Sequence, residues 1–363
     1  MARAAPTIDG IAVQTLRFPT DAPEADGTIA WDHTTMVLVR VSAGAVHGIG
    51  YTYASAAAAA IVDDVLAGVV RGHSAFDTPG LWTAMVGAVR NIGWRGVCAT
   101  AISAVDVALW DLKAKLLGVP LVELFGAARR DVPIYGSGGF TSYSIDRLQK
   151  QLAGWVENDG CRFVKMKIGS APDKDPERVE AAREAIGDAA LFVDANGAYD
   201  RKQALAFAER FTRLAWFEEP VSSDDLEGLR LIRDRAPAGM DIAAGEYGYE
   251  PFYFRRMLEA GAVDVLQADA TRCCGYTGFM RAAALADAFG LPLSSHCAPA
   301  LHLPVCCAAP RLRHMEWFYD HVRIEQAVFE GAPVAKNGVI APAAGRPGHG
   351  LVFKQRDAER LAA

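Results

Sequence analysis

Seven charged or polar side chains recur along the second half of this 363-residue chain at roughly 25-residue steps: Lys167, Asp194, Glu218, Glu246, Asp269, His296 and Glu316. Nearly all end short apolar runs, such as VKMKI, LFVDAN, LAWFEEP, DIAAGE, VDVLQAD and LPLSSH. If the chain gathers these run ends, Asp194, Glu218 and Glu246 form an all-oxygen ligand set. Such a set suits a hard divalent cation, Mg²⁺, with positions left for water or substrate. One strand-end carboxylate alone reads as a helix cap or a solvated charge; three in register read as metal ligands.

Lys165 and Lys167 stand two apart on one strand and therefore share a face. Like-charge proximity and a nearby cation are expected to lower a lysine pKa, which makes a general base near neutral pH. Asp269 and His296 are placed to pair as a carboxylate–imidazole dyad, with the aspartate fixing the tautomer. Glu316 is either a buried protonated acid that donates to an oxyanion or an ion-pair partner. The set is suited to removing a proton beside a carboxylate. The resulting enediolate carries two negative charges, which Mg²⁺, Lys165 and Glu316 would stabilise.

The elements that must position these groups follow from the intervals. Pro176–Ile186, Arg201–Arg213, Leu226–Arg235, Pro251–Ala260 and Tyr276–Phe289 repeat their apolar residues at helical spacing. Strand and helix alternating in this way predict parallel strands with right-handed crossovers. Without a Rossmann-type phosphate loop, the unit closes into a β/α barrel whose strand C-termini share one mouth. The first barrel strand is expected at Val132–Tyr135 and the last unit near Tyr319. Ahead of it, Ile11–Phe18 and Met36–Val41 read as paired strands separated by a loop at Pro19–Gly27. Helices are expected at Ala57–Arg71, Gly80–Arg90 and Val97–Leu117.

Composition narrows the class: 51% hydrophobic residues describe a globular protein, and a net charge of −6 without a basic block excludes a nucleic-acid partner. No apolar run is long enough for a membrane span, and the first ten residues lack a signal-like apolar stretch, so a cytoplasmic protein is expected. The seven cysteines contain no CxxC and read as reduced, buried thiols. A zinc hydrolase on the same barrel would need an HxH pair, which is missing. A binding protein that had lost its chemistry would lack a base or a ligand, and none is lacking.

KMK at 165–167, VDANGAY at 193–199, WFEEP at 216–220, AAGE at 243–246, QAD at 267–269, SSH at 294–296 and Glu316 together resemble the enolase superfamily, within it the mandelate racemase subgroup. GWRGVCATAISAVDVALWDLKAKLLGVPLVELFG at 93–126 resembles that family's capping helix and barrel entry. The resemblance implies an α/β fold, a modified (β/α)7β TIM-type barrel with an N-terminal α+β capping domain. The division would be a capping domain at 1–127, the barrel at 128–325, and a tail at 326–363 returning to the capping domain. It implies Asp194, Glu218 and Glu246 as Mg²⁺ ligands, Lys167 and the His296–Asp269 dyad as acid/base groups, and Lys165 and Glu316 against the substrate carboxylate. Asn196 and Glu219 match motif positions with outer or substrate-contact roles. Loops around Phe18–Trp31 and Tyr51–Ala54 would close over substrate, with Tyr51 and Tyr53 as contacts.

The implied reaction is dehydration of an aldonic or aldaric acid to a 2-keto-3-deoxy acid. Racemisation or epimerisation of a 2-hydroxy acid is the alternative, and lactone cycloisomerisation the third. The implied partner is a small carboxylate substrate, and the implied assembly a homo-oligomer. Tyr247, and the CCG at 273–275, depart from the family pattern and bear on substrate choice.

Overall fold

Alternating apolar residues near the N-terminus build an antiparallel meander of β1 (Gly10–Ala25), β2 (Ala30–Ala43) and β3 (Val46–Tyr53). This is a computed structural model and describes residues 5–362. β1 runs on to Ala25 through the segment expected to be a loop, and its pairing with β2 shifts between Pro19 and Glu24. Proline has no N–H for the ladder, so the strand bulges instead of ending. The remaining turn is short. Asp26 Oδ1 accepts from the backbone N–H of Thr28 at 2.6 Å and of Ile29 at 2.8 Å.

Val37, Val39 and Val41 are buried in one core with the helix Val97–Leu117, which is buried along most of its length. Close approach depends on glycine: a Cβ on Gly48 would lie 2.1 Å from Ala108 O, and one on Gly50 2.2 Å from Ala104 O. The helix stops at Gly118, whose φ of 72° is left-handed.

Eight parallel strands then close on themselves: β4 (Val132–Gly138), β5 (Phe163–Lys167), β6 (Ala190–Asp194), β7 (Trp216–Glu218), β8 (Asp241–Ala244), β9 (Val265–Ala268), β10 (Leu293–Ser295) and β11 (Leu312–Phe318), with β11 pairing back to β4. One helix joins each consecutive pair, so the barrel is the expected α/β architecture. Pro299–Ala308, absent from the expectation, is such a helix despite Pro304 inside it.

The period of two sets the barrel interior in layers. Tyr135, Phe163, Phe192, Trp216 and His314 form an aromatic floor, with Phe192 stacked on Trp216 at 5.2 Å. Two residues further along the same strands stand Ser137, Lys165, Asp194, Glu218 and Glu316, so the layer above the floor is polar. The floor also excludes water from below.

The tail makes specific contacts on both sides. Val339–Ile340 pairs with β4, Gly348 O accepts from Leu121 N at 2.7 Å, and His349 N donates to Asp111 Oδ1 at 3.0 Å. All seven cysteines are free and buried, and no helix among the described residues is long and apolar enough to cross a membrane.

Candidate active site

Register brings the strand-end groups together. Lys167 lies opposite Asp194, and Asp194 opposite Glu218, across β5, β6 and β7. Glu246 follows β8 through Gly245, whose φ of 140° is open to glycine. One carboxylate oxygen from each of Asp194, Glu218 and Glu246 falls within 4.8 Å of the others, all three residues being buried. No hydrogen bond reaches Glu246 Oε2, which faces the His296 ring with Nε2 3.2 Å away. A buried carboxylate oxygen without a donor is costly, and an all-oxygen trio of this spacing fits Mg²⁺. Burial, with the charge of Asp194 adding to it, pushes the Glu218 carboxyl up to about 8. Burial acts the same way on Asp194 and Glu246, but Lys167 beside the first and His296 and Arg272 beside the second outweigh it and hold both carboxyls low, so the trio presents negative charge to a divalent cation.

Lys165 Nζ is 2.6 Å from Glu218, 2.9 Å from Glu316 and 3.5 Å from Asp194; Lys167 Nζ is 2.5 Å from Asp194. The two lysines do share a face, but the expected lowering of their pKa is not what the protein charges produce. Burial pushes both ammonium groups down, yet Glu218 and Glu316 around Lys165, and Asp194 beside Lys167, outweigh it and hold both above the ordinary lysine range. A divalent ion among those carboxylates acts in the opposite sense.

Across the trio, His296 Nδ1 lies 2.8 Å from Asp269 Oδ2, and His296 Nε2 lies 3.2 Å from Glu246. Asp269 is pinned in turn by Thr271 N at 2.6 Å. Burial pushes its carboxyl up, but His296 and His302 win and hold it well below the usual range. The dyad therefore has an ionised aspartate facing one imidazole nitrogen, which leaves Nε2 towards the carboxylate trio.

Glu316 corrects one expectation. Its carboxylate accepts from Ser137 Oγ at 2.6 Å and from Cys297 N at 2.7 Å while meeting Lys165. Burial opposes ionisation, but Lys165 and His296 overcome it, so Glu316 is charged, not a protonated donor.

The barrel mouth opens into a cavity of about 370 Å³ walled by the capping sheet and the β/α loops. Lys167, Asn196, Glu246 and His296 border it, as do Trp31 and Tyr53 from the capping strands. Tyr51 does not. It is fully buried, its hydroxyl donates to Glu325 at 2.7 Å, and its ring stacks on Phe329. Tyr51 and Tyr53 share a face of β3, and only the one at the strand end reaches the cavity. Glu219 borders a neighbouring cavity that meets the first at Asn196 and Tyr247.

Arg272, Cys297 and His321 also line the mouth and were not singled out from sequence. All three lie just beyond strand ends, where no apolar run marks them. The lid turn sits on the barrel itself: a Cβ on Gly27 would fall 2.3 Å from Ala195 O and 2.7 Å from Ile168 O.

Residues 147–358 match the family described as enolase C-terminal domain-like, and residues 12–126 match the N-terminal domain of the mandelate racemase / muconate lactonizing enzyme family. A 3,6-anhydro-alpha-L-galactonate cycloisomerase of Streptomyces coelicolor is 35% identical over 98% of each chain. An L-talarate/galactarate dehydratase of Salmonella typhimurium is 34% identical over 74% of this chain and 70% of its own. Among solved structures, a mandelate racemase/muconate lactonizing enzyme-like protein of Rubrobacter xylanophilus superposes with a TM-score of 0.96 at 49% identity, covering 99% of this chain and 100% of that one. A racemase of Streptomyces coelicolor with bound magnesium gives a TM-score of 0.92 at 32% identity, covering 98% and 100%.

Proposed function

The chain belongs to the mandelate racemase / muconate lactonizing enzyme family of the enolase superfamily, and from that premise we propose that it is a Mg²⁺-dependent acid-sugar dehydratase. It takes the proton α to the carboxylate of an aldonic or aldaric acid and expels the hydroxyl on the next carbon, leaving a 2-keto-3-deoxy acid. The observation that carries this is the placement of two proton-transfer groups, Lys167 at Asp194 and His296 at Glu246, on two sides of one carboxylate trio.

Asp194, Glu218 and Glu246 would hold Mg²⁺, which would supply positive charge against the second negative charge of the enediolate. Lys165 adds its ammonium to that stabilisation, and Glu316 positions the ammonium from 2.9 Å. The configuration at the α-carbon selects whether Lys167 Nζ or His296 Nε2 receives its proton. When Lys167 is the base, His296, held by Asp269, is the acid: it gives a proton to the departing hydroxyl as the C–O bond breaks, so water leaves and the enol becomes the keto acid. The aromatic floor and the capping lid keep bulk water from the carbanion-like state.

Cycloisomerisation is the second reading. It is favoured by the cycloisomerase relative matching through 98% of both chains, capping segment included, where the dehydratase relative matches 74% of this one. Its first step is the same, and a ring oxygen takes the place of the departing hydroxyl. Racemisation is what the two bases would do when no leaving group is in line.

Incubation with Mg²⁺ and a panel of open-chain, lactone and anhydro sugar acids, followed by NMR and keto-acid detection, tests the proposal. Keto acid from an open-chain acid is expected. Keto acid only from ring forms would favour the cycloisomerase, α-deuteration alone a racemase, and inert acids throughout would refute the proposal. A cytoplasmic homo-oligomer remains part of this reading.

A further inference from the structure

We propose that the site takes a sugar acid with a single free carboxylate, an aldonate or a ring form of one, and that the Nε2–H of His321 binds its uncharged far end. This rests on the acid-sugar reading and narrows it.

The cavity has one end built for a carboxylate, where Lys167, Glu246 and His296 border it. Its far wall is different. Trp31, Tyr53 and Phe318 bring aromatic rings to it, Ser55 and Thr34 bring hydroxyls, that of Thr34 already donating to Asp320, and the lid turn brings the carboxylate of Asp26, whose Oδ1 accepts from Thr28 N and Ile29 N. The cationic side chains of the lining, Lys167 and Arg272, already face carboxylates: Lys167 lies on Asp194, and Arg272 lies 3.1 Å from Glu246 and 3.7 Å from Asp269. Among the described residues, no lining lysine or arginine remains for a second substrate carboxylate. A diacid would bury that group opposite Asp26 without a counter-charge.

His321 supplies the complementary feature. A backbone N–H can only donate, and Ala298 N lies 3.2 Å from His321 Nδ1. Nδ1 is therefore the acceptor, and in the neutral ring Nε2 carries the hydrogen. Burial, with the charge of His296 adding to it, pushes this imidazole down to about 3, so it is neutral in the working range. Its ring is clamped, stacked on Tyr53 at 3.5 Å and edge-on to Phe318 at 4.9 Å. Nε2 has no protein partner among the described residues, and His321 borders the cavity. A fixed, neutral N–H donor among aromatic faces suits a hydroxyl or ring oxygen.

The test uses the full-length, Mg²⁺-loaded protein and matched acids: an aldonate, the aldarate with the same stereocentres, and glycerate, which stops short of the far wall. Affinities come from calorimetry and kcat/KM from turnover. The aldarate is expected to fall at least about 100-fold below the aldonate. Ile29→Arg, on the exposed lid turn, should narrow that ratio about 10-fold. His321→Phe keeps the ring stack and removes both the Nε2 donor and the acceptor of Ala298 N, the second loss being common to long and short acids. It should cost about 10- to 100-fold for the aldonate, chiefly in KM, and less for glycerate.

Equal use of aldonate and aldarate by the unaltered protein would overturn the inference. So would a folded His321→Phe variant with the same loss on glycerate as on the aldonate. If no acid is turned over or exchanged, the acid-sugar reading itself fails, while the measured affinity ratio still decides between mono- and diacid.

Discussion

Replacing Trp216 by phenylalanine separates the barrel floor's packing from its control of the metal ligands. Trp216 is fully buried, and its Nε1–H donates to Glu218 Oε2 at 2.9 Å from two residues down the same strand. Phenylalanine preserves a ring against Phe192 and deletes the donor. A hydrogen bond to a charged group contributes about 1.5–3 kcal/mol net. If that energy goes into aiming Glu218 at the ion, Mg²⁺ affinity falls about 10- to 100-fold, at ~1.4 kcal/mol per decade. Loss of a hydrogen-bond partner behind a metal ligand falls in the same range of about 10- to 100-fold. Calorimetric Mg²⁺ titration of chelator-stripped protein reads the affinity, and turnover at saturating Mg²⁺ reads what remains of the chemistry. Weaker binding with turnover within several-fold of the parent is expected. Unchanged Mg²⁺ affinity in a folded Trp216→Phe variant would refute the idea that the floor orients Glu218.

Two further outcomes follow from other parts of the structure. Glu24 on β1 is buried and accepts from Trp31 Nε1 at 2.8 Å, and burial, with Asp320 adding to it, pushes its carboxyl up to about 8 from 4.5. Its folded pKa exceeds the unfolded one, so its contribution to stability is full below pH 4.5 and lost as pH rises through about 8. Glu24→Gln, which keeps an acceptor for Trp31, should therefore match the parent's stability near pH 4 and exceed it at pH 9, by on the order of a few kcal/mol; thermal melts across that range check this. Gly27→Ala places a methyl 2.3 Å from Ala195 O, next to Asp194. The lid must lift, and steady-state kinetics should show kcat/KM down about 100-fold with a small change in melting temperature.

The barrel was legible because its strands are short apolar runs that end in polar residues, a pattern that survives without knowledge of tertiary contacts. That Asp194, Glu218 and Glu246, the two lysines and the Asp269–His296 pair come together was legible for the same reason, since parallel strands of similar length place their C-termini in one plane. Pro299–Ala308 escaped because an almost wholly buried helix has no polar face and hence no period to read. The extension of β1 through Pro19–Ala25 escaped because proline and aspartate are ordinary loop residues, and the bulge that accommodates them is set by pairing with β2. Tyr51 was misplaced because alternation gives a side chain's face but not its depth. Arg272 and Cys297 come from loops whose paths depend on neighbouring strands, and His321 from the first turn of the helix Tyr319–Val328, where a single histidine carries no pattern. The charge state of Glu316 depends on Lys165 and His296, with Ser137 adding a hydrogen bond, and these are brought together from three other parts of the chain.

The most direct measurement is α-proton exchange in D₂O with Mg²⁺, following both α-configurations of one accepted acid with the parent protein, Lys167→Ala, His296→Asn and the double variant. Each single variant should lose exchange of one configuration by about 10²- to 10⁴-fold, and the double variant should lose both. Exchange persisting at the parent rate in a folded double variant would contradict the assignment of Lys167 and His296 as the proton-transfer pair.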